Sequence, residues 1–249
     1  RGEIGRADAE RVIAVANNTG PAVVVEGIGA HYWGNRLFGL FLYAAQILSA
    51  LLIGAVAARL SHLSTASDDA PQPAHKVVRS DLLTSLADAV SSSALSVIAV
   101  CGFIVFFAVV TAIGESLLRA LHLDFLTPFA AAFLEFSSGC AQAASLGGYT
   151  GAFLTGFAVG WSGISVFAQS KVFTAPNGIR LRRTALSKFV QGILCGGAGC
   201  LGCRFLPVSA SLPASISQPI SPYPFLTAEL LLLVAFCFLP FALPHKKGR

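Results

Sequence analysis

Two stretches of this chain, Leu37 to Ala58 and Ala94 to Gly114, run without a single charged side chain. Each is about as long as the 20 or so apolar residues that a helix needs to cross the hydrocarbon core of a bilayer. A third run, Phe225 to Leu243, is nearly as clean, with Pro240 and Pro244 at its end. A fourth, Ala185 to Leu206, is less uniform and rich in glycine. Charged residues make up 12% of the chain, hydrophobic ones 55%, and mean hydropathy is +0.72. A soluble domain carries about 25% charged residues. The expected fold is therefore all-α: a polytopic helical membrane protein with broken or re-entrant helices, for the reason that follows.

Three further apolar runs are interrupted: Val12 to Gly29, Phe125 to Gly148 and Gly151 to Gln169. Lipid cannot satisfy backbone N–H and C=O groups, so irregular backbone at membrane depth must be buried in protein or line a wet cavity. Broken helices of this kind hold solute near the midplane in many carriers. The first interruption is Asn17-Asn18-Thr19-Gly20-Pro21, with Glu26 nearby. It reads either as a solute-contacting break or as a turn in a helical hairpin, since Asn, Gly and Pro all favour turns. The second holds Glu135, Ser137, Ser138, Gly139 and Gln142. A buried Glu135 is a candidate proton carrier, because intramembrane carboxylates mark substrate, ion or proton paths; the alternative is a helix end near the interface. The third is Gly160-Trp161-Ser162-Gly163-Ile164-Ser165, followed by Gln169. Trp161 reads as a stacking surface for a flat solute or as an interfacial anchor. Ser162 and Ser165 either face the solute or bond back to their own helix.

Positive charge orients the chain. Arg59, Lys76 and Arg79 fall in one connection, Lys171, Arg180, Arg182, Arg183 and Lys188 in another, and Lys246, Lys247 and Arg249 in the tail. The Pro/Ser-rich loop from Pro207 to Pro224 has no charge, which places it opposite the basic regions. Arg79 and Lys171 on one side require an even number of crossings between them. Ala94 to Gly114 supplies one, so Phe125 to Gln169 supplies one net crossing from two runs. One run is then re-entrant and the other a broken span. Between Ser61 and Arg79 lies a polar linker with Asp68, Asp69, Pro71 and Pro73. Ser80 is placed to cap a following amphipathic stretch with Leu82, Leu83, Leu86, Ala87 and Val90 on one face. That stretch reads as a helix on the membrane surface, or else as an extension of the next span. The organisation expected is thus residues 1–60 as a broken helix plus span, 61–92 as cytoplasmic linker and interfacial helix, and 93–245 as a second membrane half. A break followed by a span in both halves suggests an incomplete internal duplication.

Several motif matches fail on context. Gly197-Ala198-Gly199-Cys200-Leu201-Gly202 fits G-x-G-x-x-G but lies inside an apolar helix with no preceding strand. Cys195, Cys200 and Cys203 share the spacing of an iron–sulfur motif, yet sit among glycines that suit close helix packing. His31, His62, His75, His122 and His245 are scattered, without metal-ligand spacing. No nucleophile–base or acid–base set can be assembled, so no enzyme activity, cofactor or metal is expected. The net charge of +5 sits at span ends and marks topology, not a nucleic-acid surface. The chain holds no Met and begins at Arg1, so it is expected to be the later part of a longer protein.

The order Glu10-Arg11-Val12, Asn17 to Pro21, Gly102-Phe103-Ile104-Val105-Phe106-Phe107, Phe133 to Gly139 and Gly160 to Gln169 resembles the sporulation integral membrane protein family of the YlbJ type, in its C-terminal portion. Members carry the nucleoside-recognition, or gate, domain, which also occurs in concentrative nucleoside transporters. The resemblance implies a gate-domain, carrier-like fold and movement of dipicolinate across the outer forespore membrane during sporulation. It implies a site at Asn17, Asn18, Thr19, Gly20, Glu135, Ser137, Ser138, Trp161, Ser162 and Gln169. The expected partners are a small anionic or nucleoside-like solute, the lipid bilayer of the cell membrane or outer forespore membrane, and further copies of the chain. The alternative is a membrane scaffold in spore development, with the glycine-rich face at Gly192 to Gly202 receiving another helix.

Overall fold

The computed structural model describes residues 6–63 and 82–208. The span expected at 225–243, the linker centre, the Ser80 cap and the Pro/Ser loop beyond Val208 lie outside the described residues. Every described element is helical: α1 (Arg6–Ala16), a π-helix (Val23–Tyr32), α2 (Arg36–Leu63), α3 (Leu82–Ala120), α4 (Thr127–Leu134), α5 (Phe136–Leu146), α6 (Gly148–Trp161), α7 (Gly163–Thr174) and α8 (Arg182–Phe205), with single 3-10 turns before α4 and after α7. Among the described residues, four segments are long and apolar enough to cross a membrane: Arg36–Arg59, Leu82–Ala120, Gly148–Thr174 and Arg182–Phe205. The protein is an all-α polytopic helical protein.

α8 organises the bundle. It runs antiparallel to α6, and glycines let the two backbones touch. Gly160 lies against the Gln191 carbonyl, Gly156 against that of Cys195, and Gly199 against that of Ala152. Phe153 covers Gly196, and Phe157 covers Gly192. Lipid is as apolar as these side chains, so van der Waals packing of this kind, not hydrophobic burial, joins the helices. α8 is antiparallel to α2 as well: Gly202 meets Phe38 and Phe41, while Ser49 lies 3.4 Å from Cys195. The glycine-rich face of α8, read above as a docking face for a second helix, is therefore filled from within the chain by α6 and α2.

These registers put the ends of the helices in order. Arg59, Arg180, Arg182 and Arg183 gather at one end of the bundle. α1 starts there too, with Glu10 Oε1 accepting from the Arg180 N–H at 3.0 Å. The other end holds the π-helix terminus and the α5–α6 turn. Asn35 Nδ2 donates to the Pro207 carbonyl (2.9 Å), and Trp33 Nε1 donates to Thr155 Oγ1 (3.2 Å). α1 and the π-helix together thus traverse the bundle, broken once.

The run at Phe125 to Gly148 is the one that folds back. Gly139 of α5 packs on the backbone of Ala132 in α4, so the chain reverses at the single extended residue Glu135 (φ −143°, ψ 125°). It reverses again at Gly147 (φ 63°), beyond which Gly151 packs on the Ala143 carbonyl. α4 and α5 form a hairpin that starts and ends at the Trp33 end with its tip at Glu135. α6 and α7 then make the broken span. The first half reads helix, break, helix, long helix (α1, π-helix, α2), and so does the second (α6, α7, α8).

Two expectations change. The amphipathic stretch at 82–90 is not a separate surface helix: α3 is one helix of 39 residues, about 58 Å at 1.5 Å per residue. A boundary at 92/93 falls inside it. Lys188 does not belong with the basic connection; it sits two turns into α8 and is fully buried.

Candidate solute site

The first break begins where α1 runs out of partners. Pro21 has no N–H to continue the ladder, and Asn18 takes over the helix end by donating from Nδ2 to the Val15 carbonyl (2.6 Å). Its Oδ1 faces α8, accepting from Lys188 Nζ and Gln191 Nε2, both at 3.0 Å. Lys188 Nζ also donates to Gln191 Oε1 (3.0 Å), and Gln191 Nε2 to the Gln46 carbonyl of α2 (2.8 Å). Asn17 Nδ2 reaches Ser170 Oγ of α7 at 3.3 Å. Thr19 is half-buried; Gly20 is exposed, its carbonyl accepting from the Val24 N–H (3.2 Å). The chain re-enters helix in the wide π form, a geometry frequent at functional sites.

The second break is closed by its own side chain. Glu135 is 4% exposed, and its carboxylate accepts from the N–H groups of Ser137 (3.0 Å) and Ser138 (2.7 Å) and from Ser137 Oγ (2.6 Å). It is the N-cap of α5. Its carboxyl oxygens take up N–H groups that the first turn of α5 would otherwise leave without acceptors. Ser137 and Ser138 serve this cap, so their N–H groups are taken.

The third break is a left-handed pair. Ser162 has φ 71° and Gly163 φ 82°. A Cβ on Gly163 would lie 3.0 Å from the Leu134 carbonyl oxygen and 3.1 Å from Glu135 Cα. The α6–α7 break thus sits directly on the hairpin tip. Trp161, 6% exposed, donates from Nε1 to the Phe133 carbonyl (2.9 Å), a C-terminal group of α4 that the break at Glu135 leaves without a helical partner. Phe133 and Phe157 stack on its ring, with Phe167 and Phe189 at its sides. Trp161 is a buried packing centre in this conformation, neither an interfacial anchor nor an open stacking surface. Ser162 Oγ at the N-cap of α7 and Ser165 Oγ in its first turn are buried without a hydrogen-bond partner. Gln169 is half-buried further along α7, next to Ser170.

The three breaks share one level of the bundle. Glu135 touches Gly163; Gly160, just before the third break, touches the Gln191 carbonyl; Gln191 holds Asn18. Lys188, Gln191 and Gln46, which join the first break to the rest, are absent from the residues expected from sequence. Thr184, Lys188, Gln191 and Cys195 follow a helical i, i+4, i+7, i+11 spacing that marks one polar face of α8. Proximity to Arg180–Arg183 hides that face in a linear reading. Among the described residues no three His, Cys, Asp or Glu side chains gather to hold a metal ion. Comparisons with protein-family models, curated proteins and solved structures returned no match.

Proposed function

We propose that this chain forms part of a membrane carrier, binding a small solute where its three helix breaks meet. The observation that carries the reading is the seating of the Ser162–Gly163 break on the Glu135 hairpin tip. Two buried hydroxyls, Ser162 Oγ and Ser165 Oγ, lack partners there. Unsatisfied buried polar groups cost free energy unless something bonds them. A polar solute at the N-terminus of α7 meets both hydroxyls and the free N–H groups of that helix end. The neighbouring α5 terminus is capped by Glu135, whereas the α7 terminus has no side-chain cap. The likeness to the YlbJ-type family makes dipicolinate the first solute to test, nucleosides the second, and the cell membrane or outer forespore membrane the place of action.

Uptake into liposomes carrying the purified protein tests this. Saturable, protein-dependent accumulation of dipicolinate or uridine, reduced in S162A/S165A, is the expected result. Protein that moves neither, in either orientation, returns the reading to a scaffold.

A further inference from the structure

Lys188 is a buried basic side chain bonded to neutral amide oxygens. It lies within an apolar segment long enough to cross a membrane and has no exposed surface. Among the described residues no carboxylate lies within 4.0 Å of it, and its partners are neutral amide oxygens of Asn18 and Gln191. Three acids with described side chains on neighbouring elements have partners of their own: Glu10 accepts from the Arg180 backbone N–H, Glu26 pairs with Arg36 at 2.9 Å, and Glu135 caps the α5 terminus. A buried cation without a counter-charge is strongly disfavoured. An ammonium group has three donors, and two are used. Thr184 and Gln46 carry further buried polar atoms without partners. Thr184 Oγ1 is one turn earlier on the same α8 face, and both side-chain polar atoms of Gln46 are orphaned on the residue whose carbonyl holds Gln191. Thr184 Oγ1 and Gln46 Nε2 are donors suited to a second oxygen of the same group.

We propose that Lys188 is the anion receptor of this carrier, pairing one carboxylate, or an anion of similar size, at a subsite completed by Gln46 and Thr184. The inference rests on the carrier reading for its biological use, and it assigns the solute class: an anion, not a neutral nucleoside. Asn18 and Gln191 orient the ammonium group and tie its occupancy to the first helix break.

The test is anion binding to the full chain in lipid nanodiscs, with dipicolinate, chloride and the uncharged diamide of dipicolinate as probes, alongside liposome uptake. Wild-type protein binds dipicolinate or chloride. K188Q weakens that binding by about thirtyfold or more, K188R keeps most of it, and neither changes binding of the diamide. N18D places a carboxylate where Asn18 Oδ1 already meets Lys188 at 3.0 Å. It fills the receptor from within, so it abolishes anion binding while keeping or raising thermal stability, and it carries the test should K188Q fail to fold. Wild-type affinity for dipicolinate and chloride in N18D or in folded K188Q overturns the proposal, as does a wild-type chain that binds no anion. Saturable uridine uptake untouched by K188Q would overturn the anion receptor and leave the carrier standing. Lys188-dependent anion binding without uptake of any solute would do the reverse.

Discussion

Gly163 rests on Glu135. The contact joins a left-handed turn in one broken helix (φ 82°) to the one-residue reversal in another, with no room for a methyl group between them. G163A therefore combines backbone strain with displacement of the hairpin tip. It is expected to lower stability by about 1–3 kcal/mol, read as a drop in unfolding midpoint of the detergent-solubilised protein, and to reduce uptake. Wild-type stability in G163A would mean that the two breaks are not held together.

Glu135 is tied to its own helix. E135A leaves two backbone N–H groups and the Ser137 hydroxyl without their acceptor, so it should cost about 1–2 kcal/mol. E135Q keeps one acceptor oxygen and should lie between. A proton carrier at this position behaves differently: E135Q would then remove the pH dependence of uptake while leaving the unfolding midpoint unchanged. Paired measurements of stability and uptake against pH separate the two roles.

Trp161 supplies one hydrogen bond and a large packing surface. W161F keeps the ring stack with Phe133 and Phe157 but strands the Phe133 carbonyl, at a cost of about 1 kcal/mol. W161A removes both and should be markedly less stable. Equal stability of W161F and wild type would show that the indole N–H is not needed to close the end of α4.

The α6–α8 seam makes a contrast within one helix. G156A drives a methyl group into the Cys195 carbonyl and should push the helices apart. G197A, on the open side of α8 with nothing within 4 Å, should be neutral or slightly stabilising, since alanine favours helix over glycine by about 1 kcal/mol. Thermal unfolding of the two variants in the same detergent compares them directly; similar losses would contradict the antiparallel register.

Topology is open to labelling. Tyr149 and Arg183 are exposed near opposite ends of the antiparallel pair α6 and α8. Cysteines placed at these positions, measured against the parent protein in sealed vesicles, should react with a membrane-impermeant thiol reagent from opposite sides. Labelling of both from one side would rule out the arrangement of hairpin and broken span described above.

The spans were legible because lipid imposes a one-dimensional rule: about 20 apolar residues and no unpaired backbone. Leu37 to Ala58 and Ala94 to Gly114 lie within long helices, Ala185 to Leu206 matches α8 up to its last residue, Phe205, and each polar interruption is a real break. Charge counting also predicted that one of two runs turns back. The start of α3 was harder to read. Hydropathy changes across Ser91-Ser92-Ser93, but no glycine or proline stops the helix, and Ser96 Oγ bonds back to the Ser92 carbonyl while the helix continues.

By itself, then, the sequence determined that the chain is helical, that it contains membrane-crossing segments, and where its helices break, since each follows from the local demand of lipid on side chains and backbone. Only the tertiary structure decided which run re-enters, that Glu135 caps its own helix, that Trp161 is enclosed by aromatic rings, and that Lys188 meets Asn18 from 170 positions away. Those outcomes depend on close approaches between distant segments, through glycines at 139, 156, 160 and 163. Hydropathy records how polar each residue is; it carries no information about which neighbour will stand beside it.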